Sequence, residues 1–339
     1  MTDFRVRAAR IDDLQYLYEM AKLTGGGFTN LPADKDSLTA KLERSARAFD
    51  RTTEEHGNDL FVMVLENVKT GAVRGTSQLF TMVGQSWPFY SYRLSTLSQT
   101  SKELDRTFRA EMLTLVTDLE GASEVGGLFL HPGERAGGLG MLLARSRYMF
   151  IRQHRSRFGD RLFAELRGVI DEAGGSPFWD GLAGRFFGMG FQEADYFNAI
   201  HGNQFIADLM PKHPIYTAML SESARAAIGI PHPSGRAAMR MLENENFSYD
   251  GYVDIFDGGP TMIAKTDKVT SVKNTRSDRI TAITTPDNGL KSIISFGQLN
   301  DFQATYAFVG EADGGVTIDR DAADKMGLCV GDTIWHIPR

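Results

Sequence analysis

The segment at residues 125–150 constrains the fold most, because it has the pattern of a strand, a glycine-rich turn and a helix. Its apolar run at residues 127–130 is typical of a buried strand, and His131-Pro132-Gly133 ends that strand. A helix is predicted at residues 141–158, after the turn. Backbone N–H groups at such a helix N-terminus are unpaired, and the helix dipole adds partial positive charge. The segment therefore predicts a pyrophosphate site, with an ordinary strand-to-helix turn as the alternative.

The spacing of the glycines separates three classes of phosphate-binding turn. A P-loop needs Gly-Lys-Ser/Thr after its second glycine, whereas Gly140 is followed by Met141. The dinucleotide motif G-x-G-x-x-G does not fit residues 133–140 either. The pattern R-x-x-G-x-G fits from Arg135 onwards and resembles the acyl-CoA pyrophosphate turn of the GNAT acyltransferase superfamily. This resemblance assigns five residues to acyl-CoA: Arg135, Gly137, Gly138, Leu139 and Gly140.

The composition excludes several classes of protein. With 339 residues, of which 42% are hydrophobic, the chain is long enough for two lobes or one large domain with a buried core. A net charge of −6 argues against a non-specific nucleic-acid binder. The one cysteine, Cys329, allows neither an internal disulfide nor a cysteine-based zinc site. Because no long apolar run and no apolar signal segment occur, we expect a cytoplasmic protein that does not enter the membrane.

Apolar periodicity predicts strands and helices along the whole chain. Strands are predicted at residues 4–8, 60–66, 73–83, 88–97, 123–130, 162–170, 252–262, 292–296, 304–309, 315–318 and 333–337. Helices are predicted at residues 11–23, 37–49, 141–158, 177–188, 222–228 and 236–245, and on both sides of Pro211 and Pro214. Residues 107–119 fit a helix or an extended segment. Because the end of the 177–188 helix resembles the fourth GNAT helix, a strand is expected from Phe191.

The pattern of a helix followed by a phenylalanine occurs twice, before Phe191 and before Phe247. We therefore predict an α/β (α+β) fold with a GNAT-like mixed sheet flanked by helices, in a tandem arrangement of GNAT-like lobes. The N-terminal acyl-CoA-binding lobe is expected at residues 1–200, and a second lobe segment at residues 201–275. Residues 276–339, with their short predicted strands, are expected to form a small β-rich C-terminal extension.

Five longer strings make the resemblance closer than the superfamily. They lie at residues 24–27 (TGGG), 164–172 (AELRGVIDE), 176–179 (SPFW), 209–216 (LMPKHPIY) and 254–261 (DIFDGGPT). In this order they resemble the arginine N-succinyltransferase family, and the resemblance spans residues 4–265. It implies transfer of the succinyl group of succinyl-CoA to the α-amine of L-arginine, the first step of arginine breakdown, without a metal.

The resemblance also implies roles for two single residues. Leu128, in the strand before the glycine turn, matches a leucine that contacts succinyl-CoA in the family. His232, between two prolines, matches the family's proposed proton donor. A pKa near neutrality suits a histidine to that role, although without the resemblance His232 is interpreted as a surface-loop residue. His213 also precedes a proline, and we interpret it as structural.

The implied reaction needs groups for both substrates. The guanidinium of arginine needs a planar carboxylate partner. Five candidates stay open: Glu165, Asp171, Glu172, Asp254 and Asp257. Arg167 is the candidate for the succinyl carboxylate, so the working substrate-binding set is Glu165, Arg167 and Asp254. Backbone N–H groups near Leu128 are expected to stabilise the oxyanion. A solvated strand face is the alternative interpretation of Glu165 and Arg167.

Two other functions stay open. The chain also fits an acyltransferase that prefers ornithine or another acyl-CoA, and it fits a weakly catalytic partner subunit of a heteromeric arginine/ornithine succinyltransferase. The expected partners are succinyl-CoA, as an acyl donor rather than a bound cofactor, and L-arginine; homo- and hetero-oligomers are both open. The glycines at residues 25–27 predict a substrate-side loop or a flexible loop. Phe28 and Asn30 in this loop depart from the family's pattern, which bears on the choice of amino acid.

Overall fold

The strands and helices of the structure follow the apolar periodicity of the sequence. The computed structural model describes residues 3–24, 30–135, 137–201, 204–286 and 288–339. The strands are β1 (Phe4–Ala8), β2 (Leu60–Asn67), β3 (Val73–Phe80), β4 (Ser91–Ser101), β5 (Arg106–Val116), β6 (Ser123–Leu130), β7 (Arg161–Glu165), β8 (Ile215–Tyr216), β9 (Ser248–Val253), β10 (Pro260–Lys265), β11 (Arg276–Ile283), β12 (Leu290–Phe296), β13 (Gln303–Ala312), β14 (Gly315–Ile318) and β15 (Thr333–Pro338). The helices are α1 (Leu14–Lys22), α2 (Lys35–Asp50), α3 (Leu139–Gln153), α4 (Pro177–Gly181), α5 (Gly184–Phe187), α6 (Phe191–His201), α7 (Gln204–Leu209), α8 (Glu222–Ala227), α9 (Arg236–Asn244), α10 (Thr270–Asn274) and α11 (Arg320–Met326).

One continuous sheet contains all of these strands, in the order β12-β15-β11-β14-β13-β1-β2-β3-β6-β7-β10-β9-β4-β5-β8. Among the strands of the described residues, β6 with β7 and β11 with β14 are parallel pairs, and the other neighbours are antiparallel. The predicted fold class, a mixed sheet flanked by helices, is confirmed. The parallel pair β6 and β7 lies near the middle of the sheet, where both strands end at the same edge.

The segment that was predicted as a second lobe lies in this same sheet. Its strands β9 and β10 pair with each other, and β10 also pairs with β7. Residues 276–339 add β11–β15 on the far side of β1, which pairs with β13. Their own apolar core includes Ile294, Ile318 and Ile334. The division of the chain at residues 200 and 275 into separate units stays a prediction.

Helices cover both faces of the central strands. On one face, α3 buries Leu142, Leu143 and Phe150 against apolar residues of β1, β2, β3, β6, β7 and β10. On the other face, α1 and α2 bury residues such as Leu17 and Leu38 against β2, β3 and β6. Because both faces are covered, a ligand reaches the central strands through their ends. No helix in the described part of the chain is both long and apolar enough to span a membrane.

The structure corrects three of the predicted elements. The strand predicted at residues 162–170 ends at Glu165, because its partner β10 begins only at Pro260 and the amide of Gly168 donates to the Asp257 side chain (2.7 Å) instead of to a strand. The strand expected from Phe191 is wrong, because Phe191 and Ala194 have helical spacing and are both buried in α6. The strand predicted at residues 252–262 is two strands, β9 and β10, joined by a turn.

Two further boundaries depend on local bonds. Residues 107–119, which fitted a helix or a strand, mostly form β5, and β5 pairs with β4 along its full length. The helix predicted at residues 141–158 is α3, which begins at Leu139 and ends at Gln153. His154 directly follows the helix, and its Nδ1 lies 2.9 Å from Oε1 of Glu54. A short 3-10 turn comes next. The glycine turn and its helix are therefore confirmed, with shifted ends.

We expect the substitution Phe150→Ala to lower the free energy of unfolding by about 3–5 kcal/mol, because it leaves a large cavity in a packed core. The Phe150 side chain is fully buried, and its ring lies 4.8 Å from that of Phe61 and 5.2 Å from that of Phe302. Urea denaturation measures the change. The control Phe108→Ala removes a phenylalanine that is 58% exposed, and we expect it to change the stability by less than about 0.5 kcal/mol. Equal losses in the two variants would contradict this placement of the core.

Candidate active site

The parallel strands β6 and β7 part at the edge where both end. They pair only through Ser123 with Leu162 and Glu124 with Phe163. Beyond these pairs no further pairing joins the two strands, which the structure describes throughout, whereas β10 stays paired with β7 as far as Glu165. Unpaired backbone groups of two diverging strands can bind an extended ligand in the manner of an added strand.

A bulge in β6 lies beside this gap. Against β3, Thr76 faces Phe129 and Gln78 faces Gly126, so Gly127 and Leu128 together oppose one residue. The φ angle of Gly127 is 57°, and a Cβ there would lie 2.7 Å from the Gln78 side chain, so glycine is required. A bulge releases backbone groups from the ladder. Leu128, which the sequence assigned to succinyl-CoA, therefore lies where free N–H groups can meet a ligand.

The glycine turn follows β6 directly. Gly137 and Gly138 have φ angles of 67° and 85°, which turn the chain from the strand into α3. No side chain among the described residues caps the first turn of this 15-residue helix, where Leu139 is buried and a Cβ on Gly140 would lie 3.8 Å from the Leu130 side chain. Arg135 is exposed beside the turn. The five residues that the sequence assigned to the pyrophosphate thus lie together at the positive end of α3.

A cavity of about 170 Å³ lies beside Leu128, between helices α3 and α9. Its walls come from two helices and from the C-terminal part of the chain. The lining residues include Leu128, Met141, Ala144, Arg147, Tyr148, Ala238, Met241 and Arg339. The apolar wall from α9 was missed in the sequence, because α9 follows β6 by more than 100 residues and no local pattern links them.

Three loops meet beyond the end of β7. The amide of His232 donates to the Arg167 carbonyl (2.8 Å), and the amide of Gly168 donates to Oδ2 of Asp257 (2.7 Å). The amide of Gly229 donates to the Gly258 carbonyl (2.8 Å). These bonds bring together segments that are far apart in sequence, at residues 165–168, 229–232 and 254–259. The sequence-predicted residues Glu165, Arg167, Asp254 and His232 therefore all lie in this group of loops.

Glycines allow two of these loops to touch through their backbones. A Cβ on Gly259 would lie 2.0 Å from the Leu166 carbonyl oxygen, and a Cβ on Gly168 would lie 2.3 Å from that of Asp257. No other residue fits either position without moving the backbone. The close contact fixes Asp257, whose Oδ1 also accepts from the Gly259 amide (2.8 Å).

Four carboxyl groups crowd together where β6 and β7 part: Glu124 at the last paired position of β6, Glu165 at the end of β7, and Asp254 and Asp257 in the loop between β9 and β10. Burial, with Asp254, Glu124 and Asp257 nearby, raises the pKa of Glu165 well above its ordinary value. Burial and then Asp254 raise the pKa of Asp257 to about 7, and burial also raises the pKa of Asp254. The Oε1 atom of Glu165 is buried with no hydrogen-bond partner among the described residues. Such a group of carboxyls favours a cation.

Glu124 connects this group to helix α2. Its Oε1 accepts from Nδ2 of Asn30 (3.2 Å), and the Asn30 carbonyl accepts from Nζ of Lys41 (2.9 Å). Burial raises the pKa of Glu124 to about 7 and lowers the pKa of Lys41 to about 8. Sequence reasoning missed both residues. The available signal was a glutamate inside the otherwise apolar strand β6.

The geometry of His232 defines its neutral tautomer. Nδ1 accepts from the amide of Ser234 (3.2 Å) and lies 2.7 Å from the Ser234 hydroxyl. Since Nδ1 is an acceptor, the proton of the neutral ring is on Nε2. Burial, and secondly the charge of Arg167, lower the pKa of His232. The partly exposed ring therefore presents an Nε2–H donor at neutral pH.

Arg167 has a free donor next to this ring. Its Nε atom is buried and lacks a hydrogen-bond partner within the described part of the chain. Its positive charge lowers the pKa of His232, and it partly offsets the rise in the pKa of Asp257. An anionic group of a ligand would satisfy this donor.

The other candidates have different places. Asp171 closes its own turn, accepting from the amides of Ala173 (2.9 Å) and Gly175 (2.8 Å), and Glu172 is exposed. His213 is exposed, and its structural role stays a prediction. The predicted substrate-side glycines at residues 25–27, and Phe28, lie outside the described residues. No group of three or more His, Cys, Asp and Glu among the described residues could hold a metal ion.

We expect the pH dependence of stability to change in the variant Glu124→Gln. The folded carboxyl has a pKa of about 7 and the unfolded one near 4.5, so the folded state holds the extra proton between these values. Stability therefore falls as the pH rises through this window, by roughly 3 kcal/mol for this group. Urea denaturation at pH 5, 6, 7 and 8 should show a flatter profile in Glu124→Gln, and the exposed control Glu172→Gln should follow the wild type. An unchanged decline in Glu124→Gln would contradict the buried carboxyl.

Comparison with known proteins identifies the family. The model of the arginine N-succinyltransferase beta subunit matches residues 4–271, and the model of its C-terminal domain matches residues 276–338. The arginine N-succinyltransferase subunit beta of Pseudomonas aeruginosa is 40% identical over 334 residues, which cover 98% of this chain and 97% of the relative. The arginine N-succinyltransferase of Citrobacter koseri is 44% identical over 273 residues, 80% and 78% of the two chains.

A solved structure agrees with this result. The arginine/ornithine succinyltransferase subunit AI from Pseudomonas aeruginosa superposes with a TM-score of 0.90 at 29% identity, covering 99% of this chain and 98% of its own. The family resemblance that the sequence strings predicted is confirmed. This chain belongs to the arginine N-succinyltransferase beta subunit family, a family of acyltransferases.

Proposed function

We propose that this protein transfers the succinyl group of succinyl-CoA to the α-amine of L-arginine. The observation that carries the proposal is the group of buried carboxyls around Glu165. The Oε1 atom of Glu165 has no hydrogen-bond partner among the described residues. These carboxyls lie where β6 and β7 part. The strand β6 leads on into the glycine turn at the N-terminus of α3, which would bind the anionic donor. A cationic amino acid and an anionic thioester thus have complementary places at one edge of the sheet.

The acyl donor would bind along α3. Its pyrophosphate would meet the amides of Gly138, Leu139 and Gly140, helped by the helix dipole. The pantetheine arm would extend between β6 and β7, and the thioester carbonyl would lie at the bulge beside Leu128. Backbone N–H groups released by the bulge would stabilise the oxyanion as the amine attacks. The donor is a substrate that leaves as CoA, so no permanently bound cofactor is proposed.

The arginine side chain would bind to the carboxyl groups. Glu165 and Asp254 would accept bonds from the guanidinium, whose planar donors suit carboxylates. Arg167, with its free Nε donor, would bind the carboxylate of the succinyl group. Binding of a cation also relieves the mutual repulsion that raises the pKa of Glu165.

Two proton transfers complete the reaction. The α-ammonium must lose a proton before its nitrogen attacks the carbonyl carbon, and a carboxyl with a pKa of about 7 can accept it. We assign this role to Glu124, because both oxygens of Asp257 already accept backbone bonds. As the C–N bond forms and the C–S bond breaks, the nitrogen loses its second proton, which passes to the leaving thiolate, and the neutral ring of His232 would stabilise that thiolate through a hydrogen bond from Nε2.

The finer properties rest on the relatives. The solved relative is named for arginine and ornithine and as a subunit. We therefore also consider a preference for ornithine, a homo-oligomer, and a hetero-oligomer in which this chain is the weaker catalyst. Arginine is favoured because paired carboxylates match a planar guanidinium better than an ammonium. We place the reaction in the cytoplasm, since the one cysteine, Cys329, is exposed and unpaired.

Free-thiol release tests the proposal. The protein is given succinyl-CoA or acetyl-CoA with L-arginine or L-ornithine, and we expect release to be fastest with succinyl-CoA and L-arginine. The variant His232→Ala should lose about 100-fold or more of the rate, because the leaving thiolate loses its hydrogen-bond donor. The control His213→Ala removes an exposed histidine that also precedes a proline, and it should match the wild type.

The other outcomes have distinct meanings. Preferred release with ornithine would keep the chemistry and change the amino acid. Release that is equal in His232→Ala and the wild type would remove His232 from the mechanism. No release with any pair, from a folded protein that still binds CoA, would contradict the enzyme proposal and favour a partner subunit.

A further inference from the structure

We infer that Arg339 belongs to the donor site and contacts a phosphate of the acyl-CoA; the inference rests on the proposed use of an acyl-CoA. Residues 276–339 reach the glycine turn through β13. The hydroxyl of Tyr306 in β13 donates to the Gly138 carbonyl (2.7 Å). The C-terminal part of the chain therefore touches the turn that was assigned to the pyrophosphate.

The guanidinium of Arg339 lies against the same turn. Its central carbon is 5.4 Å from the centroid of the Tyr306 ring, and a Cβ on Gly138 would lie 2.5 Å from its Nη2. Arg339 also lines the cavity that extends past Leu128. The cation thus stands where the turn, the helix N-terminus and the cavity meet.

The charges around Arg339 leave a place for an anion. The N-terminus of α3 is the positive end of the helix dipole, so a cation beside it is unfavourable. Arg339 forms no ion pair with an acidic side chain of the described residues, and neither does Lys291, whose Nζ is 5.0 Å from the centroid of the same ring. Two cations at a positive helix end are stabilised when an anion lies between them and the free amides.

The backbone holds this residue in place. The amide of Arg339 donates to the Lys291 carbonyl (2.9 Å), and Nη1 of Arg145 donates to the Pro338 carbonyl (2.9 Å). Arg145 itself is bound to Glu245, 3.2 Å away, so its charge is already paired. The end of β15 is thereby fixed to α3, and the guanidinium of Arg339 is held beside the glycine turn with its charge available to a ligand.

A truncation series of the donor tests the inference. KM is measured with succinyl-CoA, with its 3′-dephospho form and with succinyl-pantetheine, which has no phosphate group. In Arg339→Ala we expect KM for succinyl-CoA to rise about tenfold, the loss of one charged hydrogen bond, with KM for arginine unchanged. The rise should disappear with succinyl-pantetheine. Arg339→Lys should recover part of the affinity, and the control Arg320→Ala, an exposed arginine of the same C-terminal part, should have no effect.

The three donors also identify the phosphate. A rise that persists with the 3′-dephospho donor supports a pyrophosphate contact, and one that disappears with it supports a contact to the 3′-phosphate. An equal rise with succinyl-pantetheine, or no rise at all, would overturn the inference. If the wild type does not turn over any donor, the proposed function fails separately, and calorimetric binding of CoA and pantetheine to the same variants still tests Arg339.

Discussion

The candidate site depends on the parting of two parallel strands. If β6 and β7 stayed paired to their ends, the sheet would be closed where Leu128 now borders a gap. Two features keep them apart: the bulge at Gly127, which bends β6, and the pairing of β7 with β10 as far as Glu165. The separation leaves backbone groups unpaired, which is unfavourable in the empty protein. The same groups become the donors that an extended thioester needs.

The carboxyl groups where the two strands part follow the same principle. Glu124, Glu165, Asp254 and Asp257 are held close together and away from water, so their ionised forms repel one another. This arrangement stabilises the fold less than a paired or apolar one would. Asp257 is held in this arrangement because close backbone contacts at Gly168 and Gly259 fix the loops around it. Strained or destabilised groups of this kind are typical of functional sites.

The sequence predicted the parts of this structure that depend on local patterns. The glycine turn and α3, the strands β2 and β3, and the strands β12 to β15 follow from periodicity and turn residues, whereas β11 was not predicted. Residues 107–119 could not be assigned, because their spacing fits both periods and only pairing with β4 decides for a strand.

Contacts between distant segments could not be read from the sequence. Asn30 and Glu124 are 94 positions apart, and Gly138 and Tyr306 are 168 apart, so neither pair leaves a local pattern. His232, Arg167 and Asp254 could be proposed because the family resemblance or their own chemistry singled them out. Lys41 and Arg339 could not be proposed, since each has a role only through the neighbours that the fold provides. Glu124 left one signal, a glutamate inside an otherwise apolar strand, which was missed.

The central claim is that the group of buried carboxyls around Glu165 binds the guanidinium of L-arginine. The most direct test is calorimetric titration of the CoA-bound protein with L-arginine and with L-citrulline, its neutral isostere, at pH 7 in buffers of different ionisation enthalpy. A bound guanidinium favours ionised carboxylates, so L-arginine should release protons from groups whose pKa is about 7. Citrulline should bind more weakly and release none. Equal binding of the two ligands, or L-arginine binding without proton release, would contradict the account.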